Sequence, residues 1–299
     1  MHDPLKGPTT KRGAALSRRL APYLLILPGG LWLLLFFVVP MVAMFSLSLQ
    51  QGDVVSGYQL TWHWQTYVDG ISNYQTQIVR SLMYGLVTTV IQIVLAFPVA
   101  YWIAFRGGRS KSVYLFLILL PFFVSFVLRT ISWKFILTDE SFLLAPLKDI
   151  GVLPADFHIL GTAVAVIGGL TYNFLPFMIL PIYVALERID PRVVEAARDL
   201  YASPTQTFRK VIFPLALPGV FAGVLMTFVP ASSDYINSEI LGSSSTTMIG
   251  QVIQAQYLRS QNYPTASALS FALMAILLIG IFTYARALGT EDVLKVAAR

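Results

Sequence analysis

The sequence predicts an all-α membrane protein of about six transmembrane helices, and three observations carry that prediction. Apolar residues make up 56% of the 299-residue chain and charged residues only 12%, against about 25% charged in a soluble domain. Six apolar segments, at 20–49, 79–105, 112–137, 162–186, 211–231 and 266–285, each reach the roughly 20 residues that cross a bilayer. Basic residues gather in alternate connections between these segments. Mean hydropathy is +0.68, and the net charge of +6 follows from that distribution rather than from a nucleic-acid partner. There is no cysteine, so disulfides and thiol chemistry do not enter.

The first segment follows Lys11, Arg12, Arg18 and Arg19, as a signal peptide would. Its apolar run is too long for a signal core and no small-residue cleavage site follows it, so it reads as a retained span. The second is interrupted only by the uncharged Thr88, Thr89 and Gln92. Pro98, Pro121, Pro176 and Pro181 fall inside spans, where proline kinks a helix and frees carbonyls near possible solute cavities. Arg129 and Lys134, near the outer end of the third span, are expected to snorkel to the interface. In the outer connection 50–78, Trp62, Trp64, Tyr67 and Tyr74 are expected to anchor at headgroup level, with docking of an external partner as the sharper alternative.

Counting Lys and Arg gives the orientation. With both termini cytoplasmic, segments 1–19, 106–111, 187–210 and 286–299 hold five, three, five and three basic residues, 16 of the 21, as the positive-inside rule requires. The chain then divides into a basic cytoplasmic tail (1–19), a transmembrane domain (20–285) with an inner loop at 187–210, and a cytoplasmic C-terminal tail (286–299). The opposite side carries Asp53, Asp69, Asp139, Glu140, Asp149, Asp156, Asp234 and Glu239. This mild acidity is ordinary loop solvation, or it suits a cationic solute or its carrier.

Within the inner loop, Asp190 before Pro191 is a helix start, a capping carboxylate followed by a residue with no N–H to satisfy. Val193, Ala197 and Leu200, with Val194 and Tyr201 beside them, form an apolar stripe at helical spacing, with Arg192, Glu195 and Asp199 elsewhere. Ser203-Pro204 repeats the start signal. Two short helices meeting at 201–203 are expected. On pattern alone they lie on the headgroups or are gripped by a soluble partner, being too short and too charged to enter lipid.

The run Glu195-Ala196-Ala197, then Ala202-Ser203, Phe208, Phe213-Pro214-Leu215 and Pro218-Gly219 resembles the EAA loop of the membrane permeases of ATP-binding-cassette (ABC) importers. Blocks outside the loop are similar to the spermidine and putrescine permeases of that family. They are Leu120-Pro121-Phe122 with Leu128-Arg129-Thr130, Tyr172 through Met178 with Pro181-Ile182-Tyr183, and Met248-Ile249-Gly250 with Ile253, Gln256 and Tyr257. Related permeases for iron, thiamine and sulfate share parts of the pattern. The resemblance implies the type I importer permease fold and a coupling helix pair between spans 4 and 5. Glu195, Ala196, Ala197, Asp199, Leu200, Tyr201, Ala202 and Ser203 would then meet the ATPase. It further implies a bacterial inner-membrane location, alternating access, a cytoplasmic ATPase dimer that binds ATP and magnesium, a second homologous permease in a heterodimer, and an external substrate-binding protein. The family pattern has glycine where this chain has Tyr201. Either the ATPase groove takes an aromatic anchor or the bend is made differently, and Tyr201→Gly is expected to keep ATPase coupling.

A polyamine would be held by carboxylates and ring faces, which points to Asp234, Tyr235 and Glu239 past the fifth span and to Tyr172, Asn173 and Phe174 in the fourth. Solvated acids and packed aromatics are the structural alternative. Two other classes fit poorly. A secondary transporter needs intramembrane ionisable groups that are scarce here. An enzyme needs a nucleophile or metal cluster, whereas the only histidines are His2, His63 and His158; no catalytic, metal or cofactor site is expected in this chain. Nor is there a phosphate-binding G-x-x-x-x-G-K-[ST] loop, of which Gly107-Gly108-Arg109-Ser110-Lys111 is a poor imitation.

Overall fold

The computed structural model describes residues 25–154 and 156–287. The basic tail 1–19 and the C-terminal tail beyond Ala287 lie outside the described residues. The chain opens with α1 (Leu25–Ser48), in which a π-helical turn at Leu34–Val38 precedes Pro40, a residue with no N–H to continue the ladder. Its most apolar stretch has no buried residue; it touches the body through Phe45, edge-on to Phe271 at 5.4 Å. A small antiparallel hairpin follows, β1 (Gln50–Asp53) and β2 (Gly57–Leu60), with Gln50 opposite Leu60. Asp53 closes its turn by accepting the N–H groups of Val55 and Ser56, and the bonds from Ser56 hold its carboxyl below the usual carboxylate value. The hairpin is the one departure from an all-α fold among the described residues.

Next come α2 (Gln65–Asn73), α3 (Gln75–Arg106), α4 (Lys111–Leu119) and α5 (Phe126–Leu137). The third predicted span is therefore not a straight helix. The segments Gly108–Phe123 and Phe126–Leu137 meet at 88°, through a 3-10 turn containing Pro121 and an extended Val124-Ser125 pair. Proline removes a ladder bond, and an even run of hydropathy carries no sign of direction. Beyond lie α6 (Leu144–Asp149), α7 (Ala163–Glu187), α8 (Pro191–Asp199), α9 (Pro204–Ser233), α10 (Ile236–Leu241), α11 (Ile249–Leu258) and α12 (Tyr263–Ala287). Among the described residues five helices are long and apolar enough to span, six if the bent pair counts as one.

The centre is the mutual packing of α3, α7 and α9. Ala96, Ala100 and Ala104 of α3 meet Met178, Ile182 and Leu186 of α7 and Ala216 and Val220 of α9. With lipid outside there is little hydrophobic drive between spans, so close backbone approach over small residues carries the contact. Gly219 illustrates it: a Cβ there would stand 2.5 Å from both the Pro181 carbonyl oxygen and the Ala185 Cβ. A second cluster joins Ile78 of α3 to Ile249 and Val252 of α11 and to Leu269, Leu273 and Leu277 of α12. Pro98, Pro176 and Pro181 do lie inside helices. Of the expected outer anchors, Trp62 and Trp64 are exposed, whereas the Tyr67 and Tyr74 hydroxyls are bonded within the protein, to Ser48 and Gln256.

Candidate functional site

Two regions contain the residues singled out by sequence. The first is the corner between α7 and α9. Lys111 pairs with Glu187 at 2.9 Å, tying the end of α7 to the start of α4 at the same end of the bundle. Asp190 accepts the N–H of Arg192 at 2.9 Å and Pro191 opens α8, as the sequence pattern requires. The helix ends with Tyr201 N–H donating to the Arg198 carbonyl at 2.9 Å and Ala202 N–H to the Ala197 carbonyl at 3.1 Å. This is a Schellman close, whose turning residue adopts the left-handed conformation and is usually glycine. Here it is Tyr201, with φ of 58°, a conformation costing a non-glycine residue about 1 to 2 kcal/mol.

Ser203 then starts α9 with a reciprocal capping box: its hydroxyl accepts the Gln206 N–H and its own N–H donates to Gln206 Oε1 at 3.0 Å. The expected two helices meeting at 201–203 are present. Their apolar residues divide instead of forming one stripe. Val194 and Phe208 pack onto the central cluster with Ile189 and Ile212, and Phe208 lies edge-on to Phe97 at 5.5 Å. Val193, Leu200 and Tyr201 face outward, Leu200 82% and Tyr201 97% exposed. Glu195, Ala196, Asp199 and Ser203 are exposed beside them, with Ala197 and Ala202 half-buried.

The second region lies where α5, α7 and α10 converge. Asn173 Nδ2 donates to Thr130 Oγ1 and to Asn237 Oδ1, both at 3.1 Å. Asn237 in turn donates its backbone N–H at 2.7 Å and its Nδ2 at 3.2 Å to Asp234 Oδ1. Burial raises the Asp234 carboxyl to about 6 against the lowering effect of these bonds; the residue follows the last residue of α9. The structure thus joins Asn173 to Asp234 through Asn237 and Thr130, two residues whose polarity is ordinary in sequence and whose burial is not visible there.

The other candidates point elsewhere. Glu239 pairs with Arg259 at 2.6 Å, Tyr172 packs on Trp133 at 5.4 Å, and Phe174 is buried against Phe126 at 5.8 Å. Tyr235 is 42% exposed and lines an apolar groove of about 610 Å³ with Val229, Gly250, Tyr257 and Leu273. Arg129 departs from expectation. It does not snorkel: it is buried, its Nε and Nη1 have no hydrogen-bond partner among the described residues, and its guanidinium sits 4.8 Å from the Phe122 ring centre and 5.7 Å from that of Phe126. The rings of Phe122 and Phe126, brought beside it by the bend before α5, take the cation in place of the interface. Lys134 is exposed.

The described residues form a multi-span helical membrane protein with a capped helical corner at one end of a proline-interrupted bundle. The comparisons with known proteins make this specific. Residues 71–288 match the family described as binding-protein-dependent transport system inner membrane component, and the chain belongs to that family. It is 35% identical over 257 residues to the spermidine/putrescine transport system permease protein PotB of Haemophilus influenzae, covering 86% of this chain and 90% of that protein. To PotB of Escherichia coli K12 it is 32% identical, covering 86% and 94%. In fold it is similar to a chain of a bacterial ABC transporter involved in import of the polysaccharide alginate, with TM-score 0.70 at 17% identity over 93% of this chain and 98% of that one. The chain is a membrane permease subunit.

Proposed function

We propose that this chain is the permease subunit of an inner-membrane ABC importer that carries polyamines of the spermidine and putrescine class. The observation that carries the solute class is identity of 35% along 86% of the chain to a permease named for those solutes. Both termini and the corner at α8 face the cytoplasm, the side to which the basic connections assign them. Residues 1–19 and 286–299 are the cytoplasmic tails of a transmembrane domain at 20–285.

In this reading α8 and the start of α9 are the coupling pair, with Glu195, Ala196, Ala197, Asp199, Leu200, Tyr201, Ala202 and Ser203 at the contact. The grip belongs to a dimeric ATPase carrying ATP and magnesium. The corner joins α7 directly to α9, and those helices pack with backbone contact at Gly219, so a push on α8 moves both as one body. A second, homologous permease completes the pathway as a heterodimer, and an external binding protein delivers the solute.

Asp234, linked to Asn173 through Asn237, and Tyr235 on the neighbouring groove are the pathway groups this chain offers to an ammonium chain. Tyr172, Phe174 and Glu239 support the pathway wall through their own partners. ATP-dependent uptake of labelled spermidine by the reconstituted complex tests the proposal; uptake of a different solute with none of spermidine or putrescine would refute the solute class.

A further inference from the structure

We infer that Tyr201 is an aromatic anchor that inserts into an apolar pocket of the partner ATPase. The inference rests on the coupling reading of α8 and goes beyond it, because the family pattern has glycine at this position and a glycine offers no side chain to insert. The sequence leaves two explanations for the tyrosine: a different bend, or a use for the ring. The structure removes the first. Tyr201 adopts the left-handed conformation, φ 58°, that glycine adopts without steric penalty, and both Schellman hydrogen bonds are made by backbone groups. The bend is the one glycine would make, and the tyrosine only burdens it.

No described residue uses the ring. Tyr201 is 97% exposed and makes no side-chain hydrogen bond or ring contact among the described residues. Leu200 beside it is 82% exposed, and the exposed Glu195, Arg198 and Asp199 surround the pair. A projecting aromatic with an aliphatic neighbour and a charged rim is the arrangement of an interface hot spot, where the centre is desolvated by the partner and the rim excludes water. The occupant is the ATPase because the corner stands among the basic, cytoplasmic connections and the chain has no phosphate-binding loop of its own. Lipid headgroups, the other surface that takes tyrosine, are an outcome of the test.

On this inference Tyr201→Gly loses ATPase affinity, against the expectation from sequence that it keeps coupling, even though the left-handed backbone accommodates glycine. The test uses the permease pair in lipid nanodiscs, titrated with its purified ATPase, together with the thermal stability of the permeases alone and substrate-stimulated ATP hydrolysis of the full complex. Tyr201→Gly is expected to weaken ATPase binding by about 10-fold or more while the permeases melt no lower than wild type, since glycine relieves the turn; Tyr201→Phe recovers most of the affinity. A structural role for the ring would move the two readouts together, and a lower melting point in Tyr201→Gly overturns the inference. Glu195→Arg separates it from the reading beneath. If Glu195→Arg loses the ATPase and Tyr201→Gly binds within about 2-fold of wild type, the anchor is refuted and the coupling corner stands. If neither variant affects ATPase binding, both are refuted and Tyr201 belongs to the headgroups.

Discussion

Replacing Asn237 by alanine probes the convergence of α5, α7 and α10 most sharply. The side chain is fully buried; its amide donates to Asp234 at 3.2 Å and accepts from Asn173 at 3.1 Å. Each such bond contributes about 1 kcal/mol net, and a buried donor left without its partner costs more. Asn173 retains Thr130 as an acceptor and Asp234 retains the backbone N–H of residue 237, so neither is fully orphaned. The loss in unfolding free energy is therefore about 2 to 3 kcal/mol once the small cavity is included. A double-mutant cycle with Asn173→Ala isolates the direct bond. Interhelical hydrogen bonds in membranes average about 0.6 kcal/mol and reach about 1.7, and a pair this buried is expected near 1 kcal/mol. Equilibrium unfolding of the purified permease in mixed micelles reads all four corners. A single-mutant loss under about 0.5 kcal/mol together with additivity within about 0.3 kcal/mol would refute the claim that this network fixes the three helices.

Two further substitutions follow. Gly219→Ala places a methyl against the Pro181 carbonyl and Ala185; overpacking of this kind costs about 1 to 3 kcal/mol, so thermal unfolding should fall and ATP-dependent uptake should fall with it as α7 and α9 are pushed apart. An unchanged melting point would mean that the two helices are not in backbone contact. Arg129→Met removes a buried cation whose Nε and Nη1 have no hydrogen-bond partner among the described residues and keeps an apolar chain between Phe122 and Phe126; thermal stability in micelles should rise, and a fall would show that the guanidinium is compensated.

What the sequence discloses and what it hides divide along physical lines. Span positions follow from hydropathy over about 20 residues, so five predicted spans coincide with α1, α3, α7, α9 and α12 to within a few residues at most ends, the chief exception being α9, which begins at Pro204. The third predicted span is a pair of helices meeting at 88°: Pro121 marks the break in sequence, but the size of the turn depends on extended backbone at Val124 and Ser125, and hydropathy is blind to direction. Arg129 is buried against the Phe122 and Phe126 rings, packing that a hydropathy profile does not report. The corner at α8 was legible residue by residue, since caps and proline starts are local: Asp190-Pro191 and Ser203-Pro204 form the expected helix starts. The orientation of Leu200 and Tyr201 was not, because a helical stripe does not say which half packs inward. The Asn173, Asn237 and Asp234 cluster joins residues more than 60 positions apart, and long-range polar pairing leaves no trace in composition or period. The hairpin at 50–60, short and largely exposed, offered no hydrophobic alternation to read.

Substrate-stimulated ATP hydrolysis by the complete complex, with wild-type chain and with Glu195→Arg, tests the central claim most directly. Spermidine-loaded binding protein should stimulate hydrolysis and uptake of labelled spermidine in proteoliposomes, and both should collapse in Glu195→Arg while the permeases still insert and assemble with each other. Uptake that persists without the ATPase, or stimulation that survives Glu195→Arg undiminished, would contradict the assignment of this chain as a permease driven through its helical corner.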